Sequence, residues 1–181
     1  RLIGSEDLIA PEVGFTYGTA SGRQEPYYEA LLEFGQAFPA WEAPCEAYPE
    51  NPLREKYPLQ FNQARSRFRV HSAYSGAKWI QEGAEPHIEL NPADAATRGL
   101  EDGDAVEVFN DRGSFRTVLH VNEAVRPESA FMVEGTFRQY LDGTIMQSVS
   151  NDTLNPRGYA LPFGPMIPYN DTLIEIKKVG E

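Results

Sequence analysis

Apolar and polar positions alternate in short runs through the C-terminal two-thirds of the chain, whereas the first third shows almost no such period. Side chains in a strand point alternately to opposite faces, so these runs predict half-buried strands. They fall at residues 57–61, 87–90, 105–109, 114–121, 130–134 and 172–179. Asn110-Asp111-Arg112-Gly113 lies between the third and fourth runs and predicts a hairpin turn. The stretch from Asn91 to Gly99 has a different signature, a compact helix. Asn91 suits the N-cap, Pro92 the first helical position, Ala93, Ala95 and Ala96 the interior, and Gly99 the left-handed exit. Tyr28, Leu31, Leu32 and Gly35 are at helical spacing and predict one more short helix, ending at Gly35.

The remaining third is irregular. Residues 1–22 are rich in Gly, Ser and Thr and read as an extended entry segment. Residues 38–58 carry five prolines (Pro39, Pro44, Pro49, Pro52 and Pro58), which disfavour both helix and interior strand. Phe38, Trp41, Tyr48 and Tyr57 accompany them, so this stretch should pack as a wrap rather than hang as a linker. The expected organisation is an arm with a short helix and a Pro-rich wrap over 1–56, then a mainly β unit over 57–181. Many short strands, few short helices and Pro/Gly corners point to a closed barrel or a sandwich.

Composition narrows the function classes. The 181 residues carry a formal net charge of -11, against the basic footprint of nucleic-acid-binding domains. No apolar run reaches the ~18 residues a membrane span requires. The single cysteine, Cys45, rules out a disulfide framework and a multi-thiolate metal site, and its acidic neighbours should raise rather than lower its pKa. The first residue is Arg1, with no signal-peptide pattern after it, so the chain reads as a piece of something longer. His71, His87 and His120 include no pair at the helical spacing of a metalloprotease, and neither a phosphate loop nor a dinucleotide fingerprint is present. No self-contained catalytic constellation emerges, and no metal ligand.

Charge is unevenly distributed, however. Residues 1–50 hold two arginines against nine acids, while residues 54–72 hold five basic side chains against Glu55 alone. Either the basic segment builds a local anion site or it is a solvated edge. If residues 61–72 are extended, Gln63, Arg65, Arg67, Arg69 and His71 share one face, with Ser72 adding a hydroxyl. Such a row of donors suits phosphates or a polar heterocycle; a loop would scatter it.

Several motifs resemble the C-terminal, molybdopterin-dinucleotide-binding domain of the dimethyl sulfoxide reductase family of molybdenum or tungsten oxidoreductases. They are Thr19-Ala20-Ser21-Gly22-Arg23-Gln24-Glu25, Phe38-Pro39-Ala40-Trp41, Tyr57-Pro58-Leu59-Gln60 leading to Arg69-Val70-His71-Ser72, the stretch from Asn91 through Asn110-Asp111-Arg112-Gly113, and Ser150-Asn151-Asp152-Thr153-Leu154 with Tyr169-Asn170-Asp171. They span roughly residues 15–179, in the family's order.

The resemblance implies a double-psi β-barrel of the aspartate-decarboxylase-like kind, the last domain of a much longer catalytic chain. It implies molybdopterin guanine dinucleotide with molybdenum or tungsten as cofactor, and iron–sulfur clusters only in domains outside this chain. Implied partners are an electron-transfer subunit, together with the remaining domains of the parent chain. Carried over by position, Gln63, Arg65, Arg69, His71, Ser72, Asn110, Asn151 and Asp152 are the cofactor-binding candidates. The competing expectation is a stand-alone barrel module, binding or structural, that meets no pterin.

Overall fold

The computed structural model describes residues 17–83, 86–160, 164 and 166–180. Residues 1–16 of the expected entry segment lie outside these. The chain divides into two compact units, one of residues 1–42 with 156–165, the other of residues 43–155 with 166–181. Residues 43–56, grouped with the arm on sequence, fall in the second unit. This part of the wrap packs there, with Ala47, Leu53 and Tyr57 against Leu173 and Phe109, whereas Phe38 and Trp41, also expected to pack, are exposed.

Six strands close a barrel: β1 (Leu59–Ala64), β2 (His87–Leu90), β3 (Ala105–Phe109), β4 (Ser114–Val121), β5 (Ser129–Val133) and β6 (Leu173–Lys178). Their order around the barrel is β1-β5-β2-β4-β3-β6, closing on β1. β1 pairs with β5 and β2 with β4 in parallel; the other pairings are antiparallel. The barrel is thus mixed, as its crossover connections require. Inward positions follow the two-residue period: Leu59 and Phe61 in β1, Val106 and Val108 in β3, Phe115 and Leu119 in β4, Ala130 and Met132 in β5. In β6, Leu173 and Ile174 are both buried. Ile174 enters the barrel core, while Leu173 faces the Pro-rich wrap.

The local signals at the other end of β2 hold. Asn91 accepts the Ala93 amide at 3.0 Å, Pro92 opens helix Pro92–Thr97, and Gly99 takes φ 63°. A second six-residue helix, Lys78–Gly83, had no sequence signal, because one and a half turns hardly express a 3.6-residue period. In the first unit the expected helix is a 3₁₀ helix, Glu29–Phe34, closed by Gly35 at φ 68°. Thr19 and Ser21 close a local turn there, with Ser21 Oγ donating to Glu25 Oε1 at 2.6 Å.

Asp171, just before β6, ties the wrap to the barrel. Its carboxylate accepts the backbone amides of Cys45 (2.6 Å), Glu46 (3.1 Å) and Ala47 (2.6 Å). Burial works to raise its pKa, but the Cys45 thiol and these amides outweigh it and hold the carboxyl below its ordinary value. A depressed folded-state pKa contributes stability above the unfolded value, about 3.9, and loses it as pH falls through the folded one. Unfolding free energies from urea titrations should therefore separate wild type from Asp171→Asn by about 1–3 kcal/mol at pH 7, and by less at pH 3, below the unfolded value. A gap that stays the same at both pH values would refute the role of the charge.

Candidate functional site

Strand β1 stops at Ala64, so the shared donor face over residues 61–72 does not form. The chain turns into a loop in which Val70 O accepts the Ala73 amide (2.9 Å) and Ser72 O accepts the Ser75 amide (3.2 Å) and hydroxyl (2.7 Å). His71 and Tyr74 take positive φ, 48° and 63°, uncommon for non-glycine residues. Against His71 lies Gly135, two residues beyond β5. A Cβ on Gly135 would sit 2.4 Å from the His71 carbonyl carbon, so the loop rests directly on a bare backbone. Arg69 reinforces the contact, donating to the His71 and Gly135 carbonyls (the latter at 3.0 Å).

This arrangement forms one wall of a cleft of about 310 Å³ at an end of the barrel. Gln63, His71, Glu134 and Gly135 line it from the β1 and β5 ends, opposite Gln147, Ser150, Asn151 and Asp152. Ile167 and Tyr169 close it from the segment before β6. Gln63 occupies the last inward position of β1, where an amide would be costly without a partner. Its Nε2 donates to Ser150 Oγ at 3.0 Å, and its backbone amide donates to Asn170 Oδ1 at 2.7 Å. Asn151 is buried and turned inward, donating to Asp171 O at 2.9 Å and to Cys45 Sγ at 3.4 Å. It shapes the 150–153 loop, whereas Asp152 is exposed at the rim.

Of the eight candidate residues, then, Gln63, His71, Asn151 and Asp152 line one cleft. Arg65 points to solvent with its side chain 74% exposed, its Nε 3.7 Å from Glu134 Oε1. Arg69 braces the loop, and Ser72 belongs to the loop's turn. Asn110 lies behind the site, donating to Val149 O (2.7 Å) and Leu173 O (3.0 Å). Glu134 and Gly135 were missed. Their only signal was their position at the end of a predicted strand. A larger hollow of about 460 Å³ lies over outward-facing Gln60, Asn62, Glu89 and Phe131, but no candidate residue lines it.

Two carboxylates, Glu134 and Asp152, line the cleft, and no arginine does. Glu134 Oε1 is buried without a hydrogen bond. Such a lining matches N–H and O–H donors of a polar heterocycle better than it matches a diphosphate. Burial first, then the Asp171 carboxylate, pushes the Cys45 thiol above its ordinary value, away from a reactive thiolate. The acid responsible is thus distant in sequence, not one of the flanking glutamates. Among the described residues, no group of three or more His, Cys, Asp or Glu side chains is arranged to hold a metal ion.

A family model described as "Molydopterin dinucleotide binding domain" matches residues 59–157, more than half of the chain. The chain belongs to this family. The molybdopterin dinucleotide-binding match covers β1 through β5, including Gln63, the His71 loop, Glu134, Gly135 and the 150–152 segment. The chain is 33% identical to the catalytic subunit of a putative dimethyl sulfoxide reductase from Halobacterium salinarum, over 94% of its own length and 21% of the relative's. It is 36% identical to a dimethyl sulfoxide/trimethylamine N-oxide reductase from Cereibacter sphaeroides, over 69% of its length and 16% of the relative's. It is also 33% identical to the alpha subunit of a respiratory nitrate reductase from Haloferax mediterranei, over 76% and 13%. The chain thus spans about a fifth or less of these relatives. Acetylene hydratase from Pelobacter acetylenicus has the same fold, with a TM-score of 0.72 over 95% of this chain and 25% of that one at 22% identity. Among the described residues, no helix is long and apolar enough to cross a membrane.

Proposed function

We propose that this domain binds and orients molybdopterin guanine dinucleotide, carrying molybdenum or tungsten, within a longer oxidoreductase chain, and that its barrel is of the double-psi form. The observation that carries this reading is the cleft itself, where Gln63, His71, Ser150, Asn151 and Asp152 converge inside the matched region. Its donor and acceptor set fits the heterocyclic part of such a group. When bound, the cofactor supplies the metal and the two-electron chemistry. The chain's own residues position it. Gln63, pinned by Ser150, presents a fixed amide edge; the 150–152 loop, tied through Asn151 to Asp171, holds the opposite wall. Gly135 and Arg69 fix the strained loop that carries His71.

This reading calls for the remaining domains of the parent chain and for an electron-transfer subunit, with iron–sulfur clusters outside this chain. A stand-alone module that meets no pterin is the alternative, and the match of residues 59–157 to a molybdopterin dinucleotide-binding domain favours the first reading.

The test uses the full-length enzyme. His71→Ala should lower metal content and turnover at least several-fold, while Arg65→Ala and Arg67→Ala, both at exposed positions, should leave them near wild type. Wild-type metal content and turnover in His71→Ala would sink the assignment. A loss of melting temperature in the His71→Ala variant, matched with and without cofactor, would make His71 structural instead.

A further inference from the structure

Glu134 follows β5, and its backbone amide donates to Ala64 O at 2.9 Å, so its main chain is fixed to the end of β1. From there its carboxylate reaches the loop that Gly135 supports, bringing Oε1 3.2 Å from His71 Nδ1. That oxygen is buried and approaches the imidazole without completing a hydrogen bond. Arg65 Nε is the other donor near this oxygen, 3.7 Å away on a largely exposed side chain. Arg69 is committed to backbone carbonyls.

We propose that Glu134 is a positioning residue that keeps the neutral His71 ring protonated on Nδ1, making Nε2 a hydrogen-bond acceptor toward the cleft. This rests on reading the cleft as the heterocycle-binding face. It deepens that reading by assigning His71 a ligand partner: an N–H or O–H donor of the bound group, not a phosphate oxygen. A neutral imidazole has one donor and one acceptor, and whichever nitrogen a carboxylate engages becomes the donor. The same orientation by a carboxylate fixes histidine tautomers in metal sites. The rest of the lining agrees, since Asp152 adds a second carboxylate and no guanidinium faces the space.

Long-range nitrogen–proton NMR spectra of the 181-residue chain at pH 8, where an ordinary imidazole is neutral, read the tautomer directly. The expected result is a His71 proton on Nδ1 in wild type, on Nε2 in Glu134→Met, and again on Nδ1 in Glu134→Gln, whose amide oxygen still accepts. Unchanged amide shifts in the six strands establish that the variants are folded. The same tautomer in wild type and Glu134→Met would overturn the proposal. Guanosine and inorganic pyrophosphate are then added separately to wild type. Guanosine should shift the Nε2 resonance and pyrophosphate should not; the reverse would overturn the assigned hydrogen-bond sense. A wild-type Nδ1 proton with no response to either probe would support the Glu134–His71 pair while counting against the cleft reading.

Discussion

Gly135→Ala is expected to destabilise the chain by about 3 kcal/mol, lowering the melting temperature by about 6–12 °C. Two costs combine. Gly135 has φ 78°, where an added Cβ costs about 1–2 kcal/mol. The Cβ would also lie 2.4 Å from His71 C, 2.7 Å from His71 O and 2.7 Å from Ser72 N. All three are backbone atoms, so no side-chain rotation relieves the overlap, and the His71 loop has to lift. Gly143 supplies the control. Its φ is 75°, yet nothing lies within 4 Å of its would-be Cβ, so Gly143→Ala carries the conformational cost alone. On the proposed cofactor-binding role, Gly135→Ala in the parent chain should also lose metal content, because the displaced loop carries His71, whereas Gly143→Ala should retain it. Equal thermal losses in the two variants would show that the close approach contributes nothing.

The second large effect lies behind the site, where Glu46 and Arg112 form a two-pronged ion pair. Arg112 Nη1 and Nη2 donate to Glu46 Oε2 and Oε1 at 2.7 and 2.9 Å, and the Leu173 amide donates to the same Oε1 at 2.6 Å. Arg112 Nε also donates to Val149 O at 3.0 Å, joining the wrap, the β3–β4 hairpin and the segment leading to the cleft. Glu46 is buried, so removing the arginine strands a charge where water reaches it poorly. Arg112→Ala should cost about 3 kcal/mol, the low end for a broken buried pair, because the arginine side chain is partly exposed. Glu46→Gln combined with Arg112→Ala should cost clearly less than the two single losses added together, since the double variant leaves no unpaired charge. Additive losses in chemical denaturation would mean that the pair is uncoupled.

The elements that can be read from the sequence are those whose cause is local. Asn91-Pro92 and Gly99 bracket their helix because cap, first position and exit each act within a few residues. Strands β2 to β6 were legible because alternation records which face meets the core, and Asn110 to Gly113 because a turn is specified by its own residues. The family's motifs likewise include Gln63, His71, Asn151 and Asp152, four of the eight candidates, which the fold gathers along one cleft.

Alternation says nothing about which strand lies beside which, so the β1–β5 and β2–β4 parallel pairs had no signal in the pattern. Nor could spacing reveal where β1 ends. Extended through residue 72, it would have put Arg65, Arg67 and Arg69 on one face with His71; in the fold the strand stops at Ala64 and Arg69 turns back to the backbone. Gly135 comes against His71 only because β1 and β5 pair. The same pairing brings Glu134 to the imidazole, and closure of β6 onto β1 brings Asp171 to the amides of residues 45–47. The sequence by itself determined the strands, caps, turns and family, because short-range sterics and hydrogen bonding write those locally. Only the closed barrel decided which polar groups share the cleft, because each of those contacts joins residues that chain connectivity leaves far apart.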